Sequence, residues 1–163
     1  MKNILIISTG GTFNKYYNPK DGSLEVENSS KYIKQISKEW LCEFKIISII
    51  GKDSLDITTK DREEILEYII NSKYKKIVIV HGTDTIDITA KFIASKNISK
   101  KIILTGAMTP FSIKKLEATA NLASAIGYIK AIRDNGVYIS MNGDIGDYRE
   151  IVKDRILGRF ICI

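Results

Sequence analysis

The sequence predicts a doubly wound α/β sandwich, a mostly parallel sheet with helices on both faces. Two observations carry this reading: short aliphatic runs recur along the chain, and amphipathic stretches separate them. Residues 4–8, 44–50, 77–81, 102–105 and 137–141 are rich in Ile and Val at consecutive positions. Such runs suit strands covered on both faces, as in a parallel sheet. Between the first two, Tyr32, Ile33, Ile36 and Trp40 repeat at helical spacing, with Ser29 and Ser30 as expected caps. Ile65, Leu66, Ile69 and Ile70 repeat in the same way, and residues 86–94 and 116–132 complete the helices. Strand–helix alternation of this kind specifies layers of helix, sheet and helix. Residues 13–27 and 142–155 are the least regular stretches, and the first is long enough to serve as a lid.

At 163 residues the chain is expected to form a single domain over 1–163. Hydrophobic residues make up 44% and charged residues 27%, which excludes disorder and collagen-like composition. The net charge of +6 would steer anions, but the lysines are interspersed with acids and form no block. No nucleic-acid partner is expected. Cys42 and Cys162 form no CxxC or metal spacing, and His81, the one histidine, makes no zinc site by itself. No metal or cofactor is expected. Met1-Lys2-Asn3 followed by Ile4-Leu5-Ile6-Ile7 starts like a signal peptide, but Ser8-Thr9-Gly10-Gly11 ends the apolar stretch. With no apolar run near the length of a membrane span, a cytoplasmic protein without a membrane partner is expected.

Ligands of open parallel sheets sit beyond the carboxyl ends of the strands, where the winding reverses. Four such ends carry a glycine and hydroxyls: Ser8-Thr9-Gly10-Gly11-Thr12, Gly51-Lys52-Asp53-Ser54, His81-Gly82-Thr83-Asp84-Thr85 and Thr105-Gly106-Ala107-Met108-Thr109. In the flavodoxin-like strand order 2-1-3-4-5, Thr12 faces Thr83 and Asp84 across one crevice. Taken alone, each signal has an ordinary reading. Gly10-Gly11-Thr12 fits a plain tight turn or a phosphate cradle, though neither GxGxxG nor a P-loop is present. Thr83-Asp84 fits a helix cap with an acid in the first turn, and His81 fits a satisfied strand-end residue. The hydroxyls gathered at successive strand ends favour a reactive site.

These residues resemble the bacterial-type L-asparaginase family of threonine amidohydrolases. The likeness rests on Thr9-Gly10-Gly11-Thr12, His81-Gly82-Thr83-Asp84-Thr85, Leu104-Thr105-Gly106-Ala107-Met108 and Met141-Asn142-Gly143-Asp144 running on to Lys153. The resemblance implies that Thr12 is the nucleophile attacking a side-chain amide. It implies that Thr83, Asp84 and Lys153 form a hydroxyl–carboxylate–amine group that moves protons. Asp84 would also hold the substrate ammonium, Ser54 the substrate carboxylate, and amides near Gly11 and Thr83 the oxyanion. Tyr16 or Tyr17 would be the lid tyrosine. A threonine hydroxyl needs such a relay, because alone it is a poor nucleophile at neutral pH.

The resemblance covers only the family's N-terminal catalytic domain, and the C-terminal domain is expected to be absent. Leu55 stands where a polar side chain often contacts substrate, Thr109 where an Arg is common and Glu117 where an Asp is. The expected function is hydrolysis of asparagine or a related amide to the acid and ammonia, by a homo-oligomer. Two alternatives remain: a catalytically silent amino-acid or amide-binding domain, and a subunit of a larger amidotransferase-like complex.

Overall fold

A computed structural model describes residues 3–163; Met1 and Lys2, the basic start read from the sequence, lie outside them. The five aliphatic runs form β1 (Ile4–Gly10), β4 (Lys45–Lys52), β5 (Lys76–Val80), β6 (Lys101–Thr105) and β7 (Gly136–Met141). The helices are α1 (Lys31–Glu39), α2 (Thr59–Asn71), α3 (Ile86–Ala94) and α4 (Lys115–Ala131). Together with β8 (Asp144–Asp147) the strands make one sheet in the order β4-β1-β5-β6-β7-β8. Within it β8 alone runs antiparallel, paired to β7. The five long strands thus follow the 2-1-3-4-5 winding.

Alternation along each strand divides the core in two. Leu5, Ile7, Ile77, Ile79, Ile102 and Leu104 pack on one face with Ile65 and Ile69 of α2 and Ile86 and Ile93 of α3. Ile4, Ile6, Val78, Val80 and Ile103 pack on the other with Ile33 and Ile36 of α1 and Leu122 and Ile129 of α4. Removing one such side chain costs about 2–5 kcal/mol. The sheet is therefore a stiff platform for whatever its loops carry. Among the described residues no helix is long and apolar enough to cross a membrane.

The first stretch read as irregular contains a hairpin, and the second contains the first strand of another that ends beyond it. β2 (Lys15–Tyr17) pairs with β3 (Leu24–Val26), and β9 (Ile151–Asp154) pairs with β10 (Arg159–Cys162). The second hairpin is no loose arm, because Ile151 and Phe160 are buried in the α2–α3 side of the core. The helix starts differ from expectation as well. Ser30 does sit at the entry of α1, but in the left-handed region (φ 57°) and without a capping bond. Its hydroxyl instead meets that of Ser48 at 2.7 Å. The Glu27 carboxylate does the capping, accepting from the amides of Ser29 (2.7 Å) and Lys31 (3.2 Å). An acid reaching back over a helix start gains from both the open amides and the dipole. In α2 the cap is Thr58, in a reciprocal box with Asp61.

Thr58→Ala is expected to lower stability in urea denaturation by about 1 kcal/mol. Ser29→Ala, which keeps the amide that donates to the Glu27 carboxylate, should cost less than Thr58→Ala.

Candidate active site

The carboxyl ends of β1, β4, β5 and β6 meet so closely that only glycine fits at the contacts. Gly11 (φ +71°) lies against Gly82, and a Cβ there would overlap the Gly82 backbone. A Cβ on Gly82 would in turn strike the side chain of Ser54. Without a Cβ the backbones approach directly, and glycine alone adopts the left-handed turn without strain. Thr12 and Thr83 each follow one of these two glycines, so they stand on adjoining turns. Lys15 and Asp53 form an ion pair that ties the exit of β1 to the turn after β4.

Beneath the Gly82 turn lies a column of buried polar groups. His81 has no exposure, and its Nδ1 lies 2.8 Å from the Gly82 carbonyl, which can only accept. Nδ1 therefore carries the proton, and Nε2 accepts from Thr89 Oγ1 at 3.0 Å. Thr89 Oγ1 accepts in turn from Arg62 Nε at 3.1 Å. Burial away from water keeps the His81 imidazole neutral, with a pKa lowered to about 4. His81 is thus the satisfied strand-end residue that the sequence suggested, and it braces the turn.

Above the column the chain brings three distant groups together. Lys153 Nζ donates to Thr83 Oγ1 at 2.8 Å and to Asp84 Oδ1 at 2.8 Å, joining residues 70 and 69 positions apart. Thr83 is buried. The Lys153 bond, with Arg155 beside it, holds the Asp84 carboxyl below its ordinary range against the effect of partial burial. Asp84 is no helix cap: α3 begins two residues later, and the Asp84 carboxylate is occupied by the hairpin. Ser54 is buried beside it, its Oγ accepting from the Asp84 amide at 3.3 Å and its carbonyl from Thr85 Oγ1 at 2.8 Å.

Other expected residues stand apart. The Thr12 hydroxyl has no hydrogen-bond partner among the described residues. The Gly11 amide is taken by the Lys52 carbonyl at 2.8 Å. The amides of Thr12, first in its short 3-10 turn, and of Thr83 have no backbone acceptor among the described residues. Tyr16 bonds Glu25 across its own hairpin, and Tyr17 is 57% exposed with its hydroxyl near Gly22. Neither tyrosine hydroxyl bonds Thr12, Thr83, Asp84 or Lys153.

Three side chains fix the Lys153 hairpin: the sequence singled out Glu117 and Asn142 by resemblance without their contacts, and Asn121 was missed. Glu117 of α4 accepts from the amides of Met108 (2.7 Å) and Thr109 (2.9 Å) after β6. Asn121, one turn on, donates to the Gly106 carbonyl (3.0 Å) and accepts from the Asn142 amide (2.9 Å). Asn142 then accepts from the amide of Phe160, which pairs with Lys153. Asn121, one polar residue within a predicted helix, carries no such signal in the sequence. Arg155, which donates to Asp84 Oδ1 at 3.0 Å, was missed too. Among the described residues no group of three or more His, Cys, Asp or Glu side chains is arranged to hold a metal ion.

Residues 3–156 match the family profile described as Asparaginase, N-terminal. The chain belongs to the asparaginase family. It is 31% identical over 168 residues to a probable periplasmic L-asparaginase of Haemophilus influenzae, covering 94% of this chain and 46% of that protein. It is 33% identical over 159 residues to one component of a glutamyl-tRNA(Gln) amidotransferase from Methanococcus maripaludis, covering 90% and 36%. This asparaginase-family chain thus spans less than half the length of these curated relatives. In fold it is similar to the thermostable L-asparaginase from Thermococcus kodakarensis, with a TM-score of 0.85 at 24% identity over 100% of this chain and 51% of that one. A probable cytoplasmic L-asparaginase from Campylobacter jejuni gives 0.80 at 24% identity over 99% and 53%.

The neutral His81 sets an acid limit on this asparaginase-family fold. Its folded pKa lies below the unfolded value, so its contribution is full above about pH 6.5 and is lost as pH falls towards 4. The shift corresponds to about 3 kcal/mol. Burial raises Asp61, but its Lys52 and Thr58 partners outweigh this and hold it at about 2, so its own loss falls below pH 4. Urea denaturation should show falling stability between pH 6.5 and 4, and the fall should be largely absent in His81→Gln.

Proposed function

We propose that this chain is an amidohydrolase domain that cleaves the side-chain amide of L-asparagine, or a related amide, with Thr12 as nucleophile. The observation that carries the reading is the junction of Lys153 with Thr83 and Asp84 on the rim where Thr12 also stands. Lys153 donates to Thr83 Oγ1, which leaves the Thr83 hydroxyl proton free for another acceptor. That gives a proton path from an amine through a hydroxyl to a bound substrate.

In this scheme Thr12 Oγ attacks the amide carbon, and the amides of Thr12 and Thr83 hold the oxyanion. Donors placed at that oxygen lower the barrier by a few kcal/mol. The Thr83–Lys153 relay gives a proton to the departing nitrogen and takes back the one released by Thr12. The C–N bond breaks and ammonia leaves. Water then attacks the Thr12 ester, the acid departs and the threonine hydroxyl is restored. Asp84 keeps the amine aimed at Thr83, and Ser54 receives the substrate's remote polar end. Either Tyr16 or Tyr17 would cover the crevice after a movement of their hairpin.

We also propose that the chain works as one domain, self-associated, in the cytoplasm. Two unpaired cysteines suit a reducing compartment, and exposed apolar side chains such as Leu116 and Ile156 support self-association. A second reading draws on the amidotransferase relative: the domain would belong to a larger complex in which a partner chain switches it on. Ammonia release that needs a co-purified protein favours this second reading.

Incubated with asparagine, the purified chain should release ammonia, and Thr12→Ala should abolish the release. Lys153→Met should slow it by about 10²–10⁴-fold. Undiminished turnover by Thr12→Ala removes Thr12 from the mechanism.

A further inference from the structure

We propose that the end of the sheet opposite the crevice binds a nucleoside polyphosphate, with its phosphates on a lysine cluster before β5 and its base beside Tyr74. The site is separate from the crevice and does not rest on the amidohydrolase reading. Lysines that alternate with acids along the chain are gathered here by parallel pairing. β4, β5 and β6 begin at Lys45, Lys76 and Lys101. The register sets Lys45 beside Leu5, Lys76 beside Ile4 and Lys101 beside Lys76, so the three stand within one residue of the same level. Lys73 and Lys75 add their charges from the loop that enters β5.

A cleft of about 570 Å³ opens there, lined by Asn3, Lys73, Tyr74, Lys75 and Lys76. It holds three cations and no acid. Among the described residues none of these three lysines enters an ion pair. Buried Lys100 fixes the loop from behind: its Nζ donates to the carbonyls of Ile69, Ile70 (3.4 Å) and Ser72 (2.6 Å) at the end of α2. Ser72 Oγ accepts from the Tyr74 amide at 3.1 Å, and the Lys75 carbonyl from the Lys101 amide at 2.9 Å. Burial, and then the charge of Lys75, hold the Lys100 pKa down, so these cations act on one another. A bound anion relieves like charges that a fixed loop keeps together.

A second cavity of about 520 Å³ adjoins the cleft and shares Lys73 and Tyr74 with it. Leu5, Ile47 and Tyr68 give this cavity apolar walls, while Glu64, Glu67 and Asn71 supply hydrogen-bond acceptors. Its acids repel phosphate and can accept from an exocyclic amine. The two cavities therefore orient a ligand, with phosphates towards the lysines and an amino-bearing ring towards the tyrosines. Half-buried Tyr74, at the junction, offers the ring a face on which to stack.

Calorimetry on the full chain, without added metal, compares ATP, tripolyphosphate and adenosine. ATP should bind about tenfold more tightly than either of the others, and less tightly as salt rises. Lys73→Gln combined with Lys75→Gln should weaken ATP about tenfold. Lys20→Gln with Lys60→Gln removes equal charge from exposed positions at the crevice end and should leave ATP within about twofold. Tyr74→Leu, which keeps an apolar side chain, should weaken ATP about fivefold and leave tripolyphosphate unchanged. ATP that does not bind, binds no more tightly than tripolyphosphate, or is weakened equally by both lysine pairs overturns the proposal.

Discussion

The site depends on how near three stretches of backbone run to one another. Gly11 touches Gly82, and Gly82 touches Ser54, with no room for a Cβ at either glycine. Parallel strands place these turns side by side, but at ordinary sheet spacing any side chain would hold the loops apart. The glycines remove that spacer. Their neighbours Thr12, Thr83 and Ser54 are thereby drawn to one crevice, on a sheet too stiff to let them drift. The buried His81–Thr89–Arg62 column works to the same end from below, because it fixes the Gly82 carbonyl through a single tautomer.

The amine arrives from elsewhere. Lys153 belongs to a hairpin outside the main sheet, and a two-stranded ribbon alone holds position poorly. Two anchors correct this. Ile151 and Phe160 are buried in the core, and the Glu117–Asn121–Asn142 chain of hydrogen bonds fastens the loop after β6 and the end of β7 to the hairpin. With both in place, Lys153 meets Thr83 and Asp84. In the proposed reaction such preorganisation would spare the cost of ordering the relay.

Much of this was legible in the sequence, for identifiable reasons. Consecutive Ile and Val mark doubly covered strands, and the 86–94 pattern matches α3 at both ends. Strand-end hydroxyls beside glycines marked the crevice, since a plain turn needs no hydroxyl. The hairpins were not legible: Lys15-Tyr16-Tyr17 and Arg159-Phe160-Ile161-Cys162 are too short to show alternation. Glu27 was overlooked as a cap because a glutamate four residues ahead of a helix looks like loop composition, whereas Ser29 and Ser30 have the expected residue type. Arg155 and Lys153 are two of 25 basic residues, and only tertiary structure separates them from the rest. Lys153 was reached by resemblance. Arg155 was not reached at all, since its pairing with Asp84 spans 71 positions.

The most direct test of the central claim is acid-quench mass spectrometry during turnover of an amide substrate. The account predicts that peptides covering Thr12 carry the substrate's acyl group, its amide nitrogen lost, at a level that falls when Lys153 is replaced and the first step slows. Ammonia released at full rate with no acyl group on that peptide, or with the adduct on another residue, would contradict it.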